Sequence, residues 1–157
     1  MSIFKWANFR STKSGIKLHT QLDIVTQIPK MVHITEARTH DINAMDIIEY
    51  EPQAGYIFDR GYWDLSRLYH INQVNAFFVI REKRRPEYAV ETCVDIESNS
   101  NVLKDESVRF IGEPKNYPDR IRRIVAYIPD LDRIFTFYTN NFILSSEQIV
   151  FLYKNRW

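Results

Sequence analysis

One cysteine and four glycines in 157 residues are scarcities, and each removes a class of function. The lone cysteine, Cys93, cannot close an internal disulfide, which suits a reducing compartment, and it leaves a structural zinc site short of thiolates. In its alternating, strand-like surroundings Cys93 reads as a small buried hydrophobe. So few glycines provide no Walker loop and no dinucleotide fingerprint, and no nucleophile elbow frames a serine. The histidines His19, His33, His40 and His70 lack metal-ligand spacing. No apolar run approaches the roughly twenty residues that cross a bilayer, and the N-terminus lacks the order of a signal peptide. The expectation is a soluble, cytoplasmic protein with no membrane partner.

Net charge is also scarce. At +1 it argues against a domain whose whole surface is basic. Distribution matters more than the total. Lys5, Arg10, Lys13 and Lys17 precede the first acid, Asp23; Arg81, Lys83, Arg84 and Arg85 surround a single Glu82; Arg120, Arg122 and Arg123 form a third group. Acids concentrate in 41–51 and 91–105. Such segregation can lay a basic track for phosphates on a near-neutral protein, or it can be solvated surface charge.

With 45% hydrophobic and 26% charged residues, the chain can bury one substantial core. Residues 16–22 place apolar side chains on every second position and read as a half-buried strand, with 31–35 as its antiparallel partner. Asp41 is a plausible cap for a helix over Ala44, Ile47 and Ile48, which Pro52 and Gly55 end. A short apolar strand leads to Asp59, a helix carries Leu65, Leu68 and Ile71, and a second apolar strand covers 76–80. From Tyr88 to Tyr138 the pattern is β-rich, with Pro114, Pro118 and Pro129 as breaks. Ser145, followed by Glu147 and Gln148, starts a last helix.

Asp59 stands out. Tyr56-Ile57-Phe58 delivers it to a strand end, and Arg60-Gly61 turns the chain at once, so the carboxylate is displayed in a cleft of what reads as a central strand. The competing reading is a helix cap, a role that Asp64 fits better.

Asp59-Arg60-Gly61-Tyr62 after an apolar strand, then a helix, then Ala76 to Arg81 with Lys83 close behind, resembles the second-aspartate segment of DDE transposases. Phe4 to Arg10 leading to Gly15-Ile16-Lys17-Leu18-His19-Thr20, and the terminal Leu152 to Trp157, are similar to the insertion-sequence branch with a Tyr-Arg-Glu-Lys signature. The resemblance implies a mixed α/β, ribonuclease-H-like sheet lacking its first strand. It divides the chain into a partial catalytic core (1–85), a β-rich insertion (86–140) and the start of the C-terminal core helix (141–157).

That signature runs Tyr, two residues, Arg, three residues, Glu, six residues, Lys, and the chain supplies Tyr153 and Arg156 before Trp157. The signature glutamate and the first aspartate are thus absent from the sequence. Of the three carboxylates that would hold Mg2+, or alternatively Mn2+, Asp59 alone is matched. The resemblance further implies DNA contacts by Arg81, Lys83, Tyr153 and Arg156, DNA element ends as partners, and a homodimer in full-length relatives. Read from the residues alone, Tyr153 and Arg156 share a face one helical turn apart, which equally fits a surface helix whose aromatic stem covers the core. Tyr62 and Trp63 fit either base stacking or a core lid. The resulting expectation is a DNA cut-and-paste transposase fragment, catalytically silent alone. The alternatives are a non-catalytic DNA-binding or partner-binding module and a free-standing metal nuclease.

Overall fold

A computed structural model describes residues 8–10 and 13–156 of the chain. Lys5 and the Phe4 to Ala7 stretch, along with Trp157, lie outside the described residues. The chain divides into two units, Met1–Ile48 and Glu49–Trp157.

In the first unit, strands β1 (Asn8–Arg10) and β2 (Lys13–Ser14) form a small antiparallel pair. Strands β3 (Ile16–Leu22) and β4 (Pro29–Glu36) form an antiparallel ribbon in which His19 faces His33. Its turn is organised by Asp23, whose Oδ1 accepts the Val25 and Thr26 amides at 2.9 Å each. That bonding holds the Asp23 carboxyl below the usual carboxylate range, the Thr26 amide contributing most.

Alternation in β3 is as the sequence indicates, but the apolar row is the exposed one: Ile16, Leu18, Leu22, Val32 and Ile34 all face solvent. The opposite row is polar and bonded. His19 is buried with Nε2 2.9 Å from Thr35 Oγ1, and Lys17 Nζ reaches the Thr39 carbonyl at 2.7 Å and Asp41 Oδ1 at 2.9 Å. This corrects the capping role expected of Asp41. His40 holds the cap position without a side-chain bond, the segment Asp41–Ile47 is a 3-10 helix, and the Asp41 carboxylate pairs with Lys17.

The second unit is a mixed α/β layer. Strands β5 (Gly55–Phe58), β6 (Phe77–Arg81), β7 (Tyr88–Cys93), β8 (Val102–Phe110), β9 (Ile121–Ile128) and β10 (Arg133–Thr139) make one sheet in the order β5-β6-β10-β9-β8-β7. Only β5 and β6 are parallel, and the crossover between them carries helix α1 (Leu65–Gln73). Asp64 caps α1 by accepting the Arg67 amide at 3.0 Å, and Asn75 leaves it with a left-handed φ of 57°. Helix α2 (Ser146–Lys154) begins with a full capping box between Ser145 and Gln148.

Strand alternation sorts the side chains into two layers. Phe78, Ile80 and Tyr138 point to the layer where Trp63, Tyr69, Phe110 and Tyr117 form an aromatic cluster with them. Val79 and Phe137 point the other way, where Ile149, Val150 and Tyr153 of α2 pack on them. Cys93, expected to be buried, is exposed, because β7 is the outer strand of the sheet and four of the five residues before it are exposed as well.

Candidate functional site

The parallel register fixes the site. Phe58 pairs with Ile80, so the next residues, Asp59 and Arg81, emerge side by side at the carboxyl ends of β5 and β6. Asp59 opens the 3-10 turn Arg60–Tyr62, and its Oδ1 accepts the Arg60 amide at 2.6 Å, which fixes the carboxylate's orientation. Oδ1 also lies 3.5 Å from Arg81 Nη2. One expectation is corrected: among the described residues β5 is the edge of its sheet, not a central strand.

Helix α2 brings the third member. By period 2, Ile57, Val79 and Phe137 share a face with Asp59 and Arg81, and Tyr153 packs against Phe137 with ring centroids 4.8 Å apart. The chain just beyond α2 then places Arg156 Nη2 3.6 Å from Asp59 Oδ2. Both guanidinium groups rest on aromatic rings: Arg81 lies over Phe135 at 4.8 Å and Arg156 over Tyr153 at 5.2 Å. The side chains of Asp59, Arg81 and Arg156 keep 34%, 19% and 22% of their surface, while Arg156 Nε and Nη2 are themselves buried, so the group is only partly open to solvent.

Residues singled out separately in the sequence thus meet here, but not on equal terms. Tyr153 is only 2% exposed and belongs to the core, and burial raises its phenol pKa, partly opposed by Arg156 and Arg81. Lys83 is exposed two residues past the end of β6 and, among the described residues, makes no ion pair with the group. Trp63 packs edge-on to Tyr138 and is half-buried. Phe135, the platform under Arg81, was not legible as a site residue; its only signal is the period-2 spacing from Phe137.

The basic group at 120–123 behaves differently. Arg122 is buried and grips Asp105 at both oxygens, Nε to Oδ1 at 2.8 Å and Nη2 to Oδ2 at 2.6 Å, while Nη1 donates to the Leu144 carbonyl. Arg123 donates to Glu106 at 2.7 Å and stacks on Tyr88. Two of the three arginines of this group are therefore internal cross-strand pairs.

Comparison with known proteins decides the family. The family model for the transposase DDE domain matches residues 4–157. The chain belongs to the DDE transposase family. It is 31% identical over 157 residues to a Sinorhizobium fredii protein named "Putative transposase y4zB", covering 97% of this chain and 44% of that relative. A second relative, "Probable transposase for insertion sequence element IS5377" of Geobacillus stearothermophilus, is 25% identical over 153 residues, or 97% of this chain and 40% of its own length. The chain thus spans less than half the length of the curated relatives it matches. No solved structure matches it.

DDE transposases act on DNA and use divalent metal ions. Among the described residues of this member, no group of three or more His, Cys, Asp or Glu side chains could hold a metal ion. Asp59 faces two guanidinium groups, not a second carboxylate, so the residues present do not by themselves fit such an ion. Among the described residues, no helix is long and apolar enough to cross a membrane.

Proposed function

We propose that this chain is the part of an insertion-sequence transposase that carries the second carboxylate, Asp59, beside a phosphate-binding group. Arg81 and Arg156 lead that group, Lys83 adds long-range charge, and Tyr153 holds Arg156 in place. The observation that carries the reading is the convergence of two guanidinium groups on a strand-end carboxylate inside a DDE domain. Guanidinium forks match the two free oxygens of a phosphodiester, and the aromatic platforms limit the ordering cost on binding. Strands β5 and β6 with α1 fit a ribonuclease-H-like core with 86–140 as its insertion, whose strands extend the same sheet.

In the intact protein this corner would serve cleavage and rejoining of DNA at element ends, with Mg2+ or Mn2+ held by Asp59 together with carboxylates outside this chain. Its partners would be DNA ends and a second copy of the protein. Cleavage is not available to the 157 residues alone, because strict metal geometry needs more than one carboxylate. The competing reading is a DNA-binding module without catalysis. Supercoiled DNA incubated with the chain and Mn2+ tests both. No nicking is expected, whereas robust nicking that survives Asp59→Ala would refute the carboxylate assignment.

A further inference from the structure

We propose that Phe135 is a positioning residue for the phosphate-binding group: its ring seats the Arg81 guanidinium at the strand end, so that Arg81 meets a DNA phosphate with its fork already ordered. The proposal rests on the reading of this corner as a DNA-facing site. It assigns the ordering to one side chain that carries no charge itself.

Strand register sets the contact. Phe137 lies opposite Arg81 across the β6–β10 pair, so Phe135, two residues back along β10, is the diagonal neighbour on the same face and within reach of a long side chain. The pairing continues past Arg81, since the Glu82 amide donates to the Thr136 carbonyl at 2.8 Å, and the backbone beneath the contact is fixed on both strands. The ring itself is held as well. Phe135 meets Phe137 edge-on, with centroids 6.2 Å apart at 89°, and Phe137 is fully buried against Tyr153. Phe135 is only half-buried at the rim of the α2 layer, where a leucine would cover the same apolar surface without offering a π face. Asp59 restrains Arg81 weakly by comparison, through Nη2 to Oδ1 at 3.5 Å between partly exposed side chains. A pair of that kind biases an equilibrium by about fivefold at most. The Phe135 ring, 4.8 Å from the guanidinium carbon, supplies the second restraint.

The test measures the affinity of the 157-residue chain for a short duplex DNA at low salt across a cycle of variants. Phe135→Leu, which keeps the apolar bulk and removes the ring, should weaken binding by about two- to fivefold, and Phe135→Tyr, which restores a ring, should recover the loss. In an Arg81→Gln background Phe135→Leu should add no further loss, because the ring acts only through that guanidinium. A second arm needs no DNA: the Arg81 side-chain proton signals should lie upfield in the ring current of Phe135, stay there in Phe135→Tyr and lose the shift in Phe135→Leu. Thermal melting of each variant shows whether it is folded, and Phe135→Met takes the place of Phe135→Leu if that variant is not. Equal losses from Phe135→Leu with and without the arginine would make Phe135 a packing residue and overturn the proposal, as would unchanged affinity in Phe135→Leu where Arg81→Gln alone weakens binding. No DNA binding by the unaltered chain, or none of it lost in Arg81→Gln, would refute the DNA-facing reading and the positioning role with it, whatever the Arg81 signals show.

Discussion

Two sets of arginine–carboxylate pairs sit in the same sheet and behave as opposites. Arg122 and Asp105 keep 10% and 2% of their side-chain surface and satisfy each other at both oxygens, with backbone carbonyls taking the remaining nitrogen. Asp59 and Arg81 sit at strand ends and Arg156 just beyond α2, all three partly exposed, with one carboxylate shared between two cations. Burial decides what each arrangement can do. A desolvated pair cannot let go without stranding a charge, so it serves the fold, whereas an open pair costs little to break and can exchange for a ligand.

The largest expected effect comes from breaking the buried pair. Arg122→Ala should cost about 3–5 kcal/mol of stability, read from denaturant unfolding, since it leaves Asp105 uncompensated in the interior. Replacing both partners with apolar residues of similar volume should restore much of that loss.

Alkali should separate interior from site next. Burial is the main cause of raised phenol pKa values at Tyr117 and Tyr138, with Asp119 and Glu82 adding to it respectively. A raised folded-state value means full stability below the unfolded tyrosine pKa of about 10 and progressive loss as pH climbs above it. Unfolding followed from neutral to alkaline pH should therefore set in above about pH 10, and Tyr117→Phe should remove part of that dependence.

At the open site the stability effect should be smallest. Arg81→Ala or Arg156→Ala should change unfolding free energy by less than about 1 kcal/mol. A loss comparable to that of Arg122→Ala would erase the distinction between the two sets.

Several parts of this picture were legible in sequence. Asp59 at a strand end, Asp64 as the α1 cap and Ser145 with Gln148 at the start of α2 all follow from local chemistry, which a short stretch of residues displays. The distinction between the arginine groups was not legible. Arg122 and Arg123 look as basic as Arg81 and Lys83, and only the pairing of β8 with β9, which sets Arg123 opposite Glu106 and Arg122 beside Asp105, reveals that they are spent internally. Register is a long-range property. The same holds for Cys93, whose alternation is genuine but whose strand lies at an edge, and for β3, where alternation gives two rows without saying which one is covered. Asp59 meets Arg156, 97 positions further along the chain, because α2 docks on Phe137, and nothing in the local pattern of Asp59 displays that.

The central claim is that Arg81 and Arg156 face DNA phosphates while Arg122 does not. Duplex affinity measured for the unaltered chain and for the Arg81→Ala, Arg156→Ala double variant, between about 50 and 200 mM salt, tests it most directly. The account expects binding that weakens with salt, with a slope in log affinity against log salt shallower by about two in the double variant. Identical slopes for both proteins, or an affinity indifferent to salt, would contradict it.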